Sequence, residues 1–233
     1  MLKRALDLTI SAPAALLSAP FLALILVYVW LQDRKNPLYV SYRIGKDHQP
    51  FRLFKVRTMV VGADRTGVDT TIKGDPRLLP FADILRRYKL DELPQFWNVI
   101  SGHMSLVGPR PNVAREVEKY SLDEQRLLEI KPGLTDFASI VFSDLSERLA
   151  GQKDANLAYE TLIRPAKSCL SLFYVDNHNI RMDVVLIVAT AVSIVSKKSA
   201  IHLITEELRR NKYSSDVIDI VEGGDKNFNK FRC

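Results

Sequence analysis

The chain has 233 residues, a net charge of +6 and a sequence pI of about 9.3. Its mean hydropathy of −0.03 excludes a multi-span membrane protein, so any membrane segment has to be local. The basic excess suits anionic partners such as phospholipid headgroups, nucleotide phosphates or nucleic acid, although a solvated surface with a modest basic excess explains it as well.

The first predicted element is an uncharged apolar segment from Leu8 to Leu31. Roughly 20 apolar residues cross a bilayer, whereas the apolar part of a signal peptide has about 7–15, so we predict a retained membrane anchor. Pro20 interrupts the segment because proline removes a helical hydrogen-bond donor, and Ser18 is a nearby hydroxyl. Basic residues flank both ends, which favours neither orientation of a single crossing. We therefore predict that residues 1–36 form a re-entrant helix–break–helix that bends near Ser18 and Pro20.

Two short extended runs follow the anchor. Leu38–Gly45 alternates in a strand-like way, and Phe51–Met59 comes after a polar turn, which predicts two strands before a loop over 61–76. Lys55 and Arg57 are two residues apart on the second strand and therefore share a face. That face is either a phosphate-binding pair or a plain solvated edge.

The rest of the chain favours helices. Apolar residues at helical spacing predict a helix over Leu78–Leu90. Start and stop signals predict a second over Asp91–Ile100, and the charged segment Asn112–Leu128 predicts a third. Residues 143–165 are polar and indicate a surface excursion. Val184–Val195 is apolar but too short to span a bilayer, so it is a core or interfacial helix. The charged composition beyond it predicts a tail.

Two motifs could carry chemistry. Asp91 and Glu92 are adjacent acids, which commonly stabilise a helix N-terminus. With Arg86 nearby they also suit phosphoryl chemistry, in which cations hold phosphates while a carboxylate attacks phosphorus. Arg110 lies between two prolines that fix its backbone, which favours bidentate contact with a phosphate, unless it is simply an exposed arginine on a rigid loop.

Several common motifs are missing from the sequence. It contains no GxxxxGK[ST], HExxH, GxGxxG or GxSxG pattern and no Asp-x-Asp pair, and its four histidines lack metal-ligand spacing. Ordinary glycosyl transfer onto a hydroxyl and a zinc site are therefore not expected. The basic residues form no run with interleaved aromatics, so nucleic acid is not an expected partner.

Together these features resemble the bacterial sugar transferases, the monotopic phosphoglycosyl transferases, over most of residues 1–195. The most specific block is KLDELPQFWNVISGHMSLVGPRP, from Lys89 to Pro111. It is supported by FRLFKVRTM, GDPRL, KPGLT and by Lys3-Arg4 with Asp7 near the start of the chain. The sequence looks like a small-form member.

The resemblance implies a two-step reaction. The aspartate that matches Asp91 attacks the β-phosphate of a UDP-sugar and expels UMP, and polyprenyl phosphate then takes the phosphosugar. Magnesium assists close to Asp91, which makes this residue the expected metal ligand, and Glu92 positions groups or handles protons. The residues that match phosphate-holding positions are Lys55, Arg57, Arg86 and Arg110.

The expected architecture is α+β. A mainly helical, membrane-associated catalytic domain with a short antiparallel strand region spans 37–200, between the anchor at 1–36 and a tail at 201–233. We expect it at the bacterial inner membrane facing the cytoplasm, with UDP-sugar, polyprenyl phosphate and membrane lipids as partners. A homo-oligomer is compatible with the sequence.

Three departures from the family pattern stand beside the matches. The usual Ser-Pro is Ala19-Pro20, the usual Gly-Asp-Met-Ser carries His103 in place of the acid, and the Gly-Trp expected after KPGLT is Asp136-Phe137. An alternative interpretation is therefore a non-catalytic membrane scaffold in a glycan assembly pathway. Release of UMP from a UDP-sugar separates the two.

Overall fold

A computed structural model describes residues 1–63, 74–149 and 154–223. Its α-helices are α1 Leu2–Asp33, α2 Ala82–Arg87, α3 Gln95–Ile100, α4 Ala114–Val117, α5 Leu122–Gln125, α6 Phe137–Val141, α7 Leu145–Leu149, α8 Ala155–Ala158, α9 Arg164–Asn177, α10 Ile180–Val195, α11 Lys197–Arg210 and α12 Ser215–Gly223. Its strands are β1 Leu38–Ile44, β2 Pro50–Val56, β3 Ser105–Val107 and β4 Gly133–Thr135. The predicted α+β class, mainly helical with few strands, is confirmed.

Helix α1 is apolar and largely exposed. Among the described residues it is the one helix long and apolar enough to cross a membrane, and only 6% of its most apolar window is buried. Helical structure continues past Pro13 and Pro20, so the break near Ser18 stays a prediction. The Ser18 hydroxyl donates to the carbonyl of Ala15 at 3.3 Å, one residue before the carbonyl that Pro20 leaves without its helical donor.

The two predicted strands form an antiparallel hairpin. β1 pairs with β2 from Leu38 opposite Val56 to Ile44 opposite Pro50. Phe51 and Leu53 on β2 are buried in the main core, which follows from the alternation of side chains along a strand. Of the predicted loop at 61–76, residues 64–73 lie outside the described part of the chain.

A second pair of strands was not expected from the sequence. β3 and β4 are parallel, with Ser105 opposite Gly133 and Val107 opposite Thr135. Beyond the pair, Gly108 and Gly133 touch so closely that a Cβ on Gly133 would lie 2.1 Å from the Gly108 nitrogen. This contact requires glycine at both positions, and it fixes the loop after β3 beside the start of β4.

The predicted helices between residues 78 and 128 are shorter than expected. Phe81 and Lys89 adopt left-handed backbone conformations that confine the first helix to α2. The second is a 3₁₀ turn followed by α3, because Pro94 starts a new helix. The third is divided into α4 and α5, since Ser121 begins a separate helix with a capping box.

The carboxyl-terminal half forms most of the core. Tyr174, Leu186, Ile204 and Leu208 are all buried in one cluster that also includes residues of α12. Although the domain boundary at residue 200 stays a prediction, residues 201–223 are helical and packed rather than a tail, because α11 and α12 each bury an apolar stripe. Residues 150–153 of the predicted excursion and 224–233 of the predicted tail lie outside the described residues.

Candidate active site

The two adjacent acids lie in a tight 3₁₀ turn, Leu90–Glu92, between α2 and α3. Lys89 enters this turn with a φ of 56°, a conformation that costs a non-glycine residue on the order of 1–2 kcal/mol and often occurs at functional sites. Asp91 is 6% exposed and Glu92 8% exposed. Neither acid caps α3, whose N-cap is Pro94. The helix-capping interpretation of the pair is therefore not supported.

Glu92 is held by two cations. The Lys55 ammonium donates to its Oε1 at 2.9 Å, and the Arg110 guanidinium donates to the same oxygen. Burial by itself would raise the pKa of Glu92, but the charges of Arg110 and Lys55 outweigh burial and hold the pKa well below its ordinary value. Glu92 is therefore an ionised residue that positions two cations.

Asp91 is in a different state although it is the next residue. Its closest cation is Lys55, whose Nζ lies 3.8 Å from Oδ2, and no hydrogen bond to its carboxylate is formed within the described residues. Burial raises the pKa of Asp91, the charge of Lys55 opposes this, and the charge of Glu92 adds to it. Adjacent carboxylates whose pKa values are displaced in opposite directions indicate a division of roles, with Asp91 free to react.

A third cation approaches from α2. The Arg86 side chain donates to the Thr58 hydroxyl at 3.2 Å. Burial lowers the pKa of Arg86, and the neighbouring charge of Asp91 opposes that effect. The structure therefore brings five of the predicted site residues together around one point: Lys55, Arg86, Asp91, Glu92 and Arg110.

Arg57 is the predicted phosphate ligand that takes another position. Strand β2 ends at Val56, and the Arg57 guanidinium turns toward α1, where it donates to both carboxylate oxygens of Asp33 at 2.7 Å. It also bonds the carbonyl of Asn36 and is 5% exposed. Contact with a phosphate stays a prediction for Arg57, and its observed role is to fasten the end of α1 to β2.

Arg110 is presented by a rigid loop, as its flanking prolines predict. The Gly108 amide donates to Thr135 at 3.0 Å, and the Gly133 amide donates to Pro109 at 2.9 Å. These bonds and the glycine contact anchor the loop just before the arginine. The Arg110 side chain is 43% exposed, so donors beyond the one that bonds Glu92 face the surface.

A small cleft of about 60 Å³ opens beside the dyad. It is lined by Arg43, Leu53, Lys55, Gln95, Arg110, Pro111 and Asn112. Gln95 is 2% exposed, and its amide nitrogen has no hydrogen-bond partner among the described residues. A buried unpaired donor costs free energy unless a ligand satisfies it, so Gln95 joins the candidate site. Arg43 joins it as a cation that lines the same cleft. The sequence signal for Gln95 was its place four residues after Asp91.

The basic and acidic residues at the start of α1 bond the elements that surround the site. Lys3 bonds Asp183 and the Tyr174 hydroxyl, both at 2.8 Å. Arg4 donates to the last carbonyls of α3, and one oxygen of Asp7 accepts from the Ser105 hydroxyl and the Leu106 amide at 2.9 Å. These contacts fix α3 and β3, the two elements that follow the dyad.

Two of the departures from the family pattern have a clear structural place. His103 bonds the Ser101 hydroxyl and stacks on Phe51 with ring centroids 6.0 Å apart. Asp136 is 1% exposed, caps α6 through the Ser139 amide at 2.7 Å and accepts from the Ser171 hydroxyl at 3.0 Å. Asp136 is therefore a structural cap whose negative charge lies close to the site.

The site has few acidic side chains that could bind a magnesium ion. Among the described residues no cluster of three or more His, Cys, Asp or Glu side chains is formed. Magnesium is commonly held by one or two carboxylates together with substrate phosphates, so it does not require such a cluster. The unengaged carboxylate of Asp91 fits that mode of binding, whereas Glu92 is already occupied by two cations.

Comparison with known proteins agrees with this geometry. The family model described as "Bacterial sugar transferase" matches residues 1–197. The chain is 35% identical over 204 residues to the exopolysaccharide production protein PSS of Rhizobium leguminosarum bv. phaseoli, covering 83% of this chain and 94% of the relative. It is 31% identical over 212 residues to the UDP-galactose-lipid carrier transferase of Erwinia amylovora, covering 84% of this chain but 41% of the relative.

A third relative is the UDP-glucose:undecaprenyl-phosphate glucose-1-phosphate transferase of Escherichia coli (strain K12). It is 38% identical over 143 residues, which cover 60% of this chain and 31% of that protein. The chain thus spans less than half the length of the Erwinia and Escherichia coli proteins and nearly all of the Rhizobium protein. It belongs to the bacterial sugar transferase family, a family of enzymes.

Proposed function

We propose that this protein transfers a sugar-1-phosphate from a UDP-sugar to polyprenyl phosphate, through a covalent phosphosugar on Asp91. The observation that carries the proposal is the contrast within the dyad. Glu92 is bound by Lys55 and Arg110, whereas Asp91 is buried among the same cations without a hydrogen bond in the described residues. A carboxylate in that state is an available nucleophile beside groups that hold phosphates.

In the first step a carboxylate oxygen of Asp91 forms a bond to the β-phosphorus of the UDP-sugar. The bond from that phosphorus to the bridging oxygen breaks, and UMP leaves with the electron pair. In the second step a phosphate oxygen of polyprenyl phosphate attacks the same phosphorus and releases Asp91. Lys55 and Arg110, which Glu92 orients, stabilise the negative charge on the transferring phosphoryl group.

Magnesium fits this site through Asp91 together with the substrate phosphates, and when bound it would offset the charge that repels an attacking carboxylate. The protein side of the same task falls to Arg86 and Lys55, which lie next to Asp91. Removal of divalent ions with a chelator should therefore lower the rate of UMP release, and added magnesium should restore it.

The contacts of α1 support an anchor that enters and leaves the bilayer on one face. At about 1.5 Å per residue a straight helix of 32 residues measures roughly 48 Å, longer than a ~30 Å hydrocarbon core. Yet Lys3 near its start and Asp33 at its end both bond the same catalytic domain. A domain on one side of a membrane holds both ends only if the helix does not cross. We place the bend at Ser18–Pro20 and the domain on the cytoplasmic side of the inner membrane.

Topology is tested with an epitope tag before Met1 and a second tag after Asn36, in separate proteins. Both tags should resist protease added to intact spheroplasts and be cleaved in inverted membrane vesicles. Digestion of either tag from outside would make α1 a true span and overturn the one-face arrangement.

The reaction is tested with a panel of UDP-sugars in the presence of magnesium. Without lipid acceptor, one UDP-sugar should release about one equivalent of UMP and leave a phosphosugar on Asp91, seen as a mass increase that Asp91→Asn abolishes. Polyprenyl phosphate should then permit turnover. A rate law that requires both substrates to bind before UMP leaves would contradict the covalent mechanism, and no UMP release with any UDP-sugar would favour the scaffold alternative.

A further inference from the structure

Two lysines beside the dyad have no use in the mechanism above. Lys89 precedes the 3₁₀ turn, and Lys167 lies on α9, far along the chain. Both are half-buried, and within the described residues neither ammonium group donates a hydrogen bond or has a carboxylate within 4.0 Å. An ammonium group that loses water without gaining a hydrogen-bond acceptor is costly, so such groups are rarely retained without a ligand.

Both lysines lie close enough to Arg110 to feel its charge. Burial lowers the pKa of Lys167 to about 8, and Arg110 adds to that effect. Burial also lowers the pKa of Lys89, where the charges of Glu92 and Arg110 act in opposite directions. Each lysine thus repels Arg110. Contacts along the chain relate the three cations: Lys89 begins the turn that contains Glu92, which bonds Arg110. Lys167 lies one turn of α9 before Ser171, which bonds Asp136.

The nearest shared anion does not neutralise them. Asp136 influences Lys89, Arg110 and Lys167, but its two oxygens are already used by the Ser139 amide and the Ser171 hydroxyl. Its carboxylate therefore acts on the three cations through its charge and not through direct contact. Around the whole site six cations, Arg43, Lys55, Arg86, Lys89, Arg110 and Lys167, face three carboxylates, Asp91, Glu92 and Asp136.

We infer that Lys89 and Lys167, together with Arg110, form a phosphate-binding subsite between the dyad turn and α9. The excess of positive charge suits an anion that carries about two negative charges, such as a sugar-nucleotide diphosphate or a phosphate monoester. This subsite is separate from the cleft of Arg43 and Gln95, because neither lysine lines that cleft. Arg110 belongs to both and connects them.

The surroundings of each lysine are suited to such a role. The Lys167 ammonium lies 5.3 Å from the ring centroid of Tyr159 and 5.9 Å from that of Phe142. The two rings hold the ammonium in place, and within the described residues it has no hydrogen-bond acceptor. Lys89 begins the 3₁₀ turn with a left-handed backbone, two residues before Asp91. The inference rests on the proposed function, since both substrates of that reaction bring phosphate to the dyad.

The test uses Lys167→Met, which keeps the length and the packing of the stem, and Lys89→Asn, which removes the charge but tolerates the left-handed backbone. Lys119→Met is the control, since it removes one charge from an exposed lysine. Binding of UMP and of inorganic phosphate to the full chain in detergent is measured by calorimetry. Each site variant should weaken binding of at least one probe about tenfold or more, and the control should not.

Kinetic measurements then identify the source of the phosphate. If the subsite holds the nucleotide diphosphate, KM for the UDP-sugar rises about tenfold in the variants while KM for polyprenyl phosphate is unchanged. If it holds the lipid phosphate, the pattern is reversed. Lys167→Arg should restore most of the affinity, because it restores the charge.

A purely structural role gives a different result. If Lys167 only supports the aromatic rings, Lys167→Met lowers the melting temperature and leaves binding of both probes intact, which would overturn the subsite. Unchanged binding in Lys89→Asn and Lys167→Met with normal turnover would also overturn it and leave the proposed function standing. Weakened phosphate binding in a protein that turns over no UDP-sugar would retain the subsite and refute the reaction.

Discussion

The dyad turn and the middle of α1 reverse the usual distribution of polar and apolar groups. Asp91 and Glu92 are charged residues with less than a tenth of their surface exposed, whereas Leu17 and Phe21 are apolar residues with exposures of 73% and 66%. Burial of charge is costly unless a site uses it, and exposure of apolar surface is costly unless lipid covers it. By the same argument, we expect chemistry at the first region and the membrane at the second.

The strongest way to break this comparison is to neutralise the nucleophile. Asp91→Asn keeps the size of the buried side chain and should lower kcat/KM for UMP release by on the order of three decades, as loss of other covalent nucleophiles does. Circular dichroism should show an unchanged fold. Residual activity above a tenth of wild type would mean that another group attacks phosphorus.

The membrane half of the comparison is tested with a charge on the exposed face of α1. Leu17→Lys should weaken membrane binding on the order of 100-fold, since a charge at the centre of a bilayer costs about 2.5–3.5 kcal/mol. Leu122→Lys is the matched control because Leu122 is 92% exposed on α5. Equal recovery of both variants in the membrane fraction would mean that α1 does not enter lipid.

Arg110→Lys sharpens the account of the charged region. Lysine keeps the charge but not the planar fork. It can therefore keep the bond to Glu92 or make the proposed bond to a phosphate, but not both at once. The turnover rate should fall about 10- to 100-fold, in line with one charged hydrogen bond. A variant with nearly wild-type kinetics would show that only the charge of Arg110 matters.

The link between the two regions is the pair of Arg57 and Asp33. Arg57→Lys should lower turnover about tenfold, since β2 also carries Lys55 and loses its fixed contact with α1. The reversed pair Asp33→Arg with Arg57→Asp should recover part of that loss. If the single variant instead raises KM for the UDP-sugar alone and the reversed pair recovers nothing, Arg57 is a phosphate ligand after all.

The smallest expected effect concerns pH. Lys167 faces the charges of Arg110 and Asp136 and packs on Phe142 and Tyr159, and its pKa of about 8 means that it is charged below pH 8 and neutral above. Affinity for UMP should therefore fall a few-fold between about pH 7 and 9 in wild type and less in Lys167→Met. Parallel pH profiles for the two proteins would exclude Lys167 as the titrating group.

Much of this site could be predicted from the sequence because its central part is contiguous. Asp91, Glu92 and Arg110 belong to one run of residues, and Lys55 lies on a strand whose alternation is plain. Lys167 could not be found in this way, because only the packing of α9 against α6 brings it near Arg110. The role of Arg57 depends on where β2 ends, which alternation alone does not specify.

The fold was predicted least well where local signals compete. The charged segment Asn112–Leu128 suggested one long helix, but the serine–glutamate capping box at Ser121 and Glu124 starts a new helix inside it. The helices after residue 200 were missed because their charged faces dominate the composition, while a narrow apolar stripe determines the packing.

The bonds of Lys3 to Tyr174 and Asp183 also set an order of events during synthesis. The partners are separated by 171 and 180 residues, so the ribosome takes roughly 10–40 s to add them at about 5–20 residues per second. During that interval α1 has already emerged and is available to the bilayer, whereas the acceptors of Lys3 have not yet been synthesised. The membrane therefore receives the anchor first, and the catalytic domain finishes folding against a helix that is already in place.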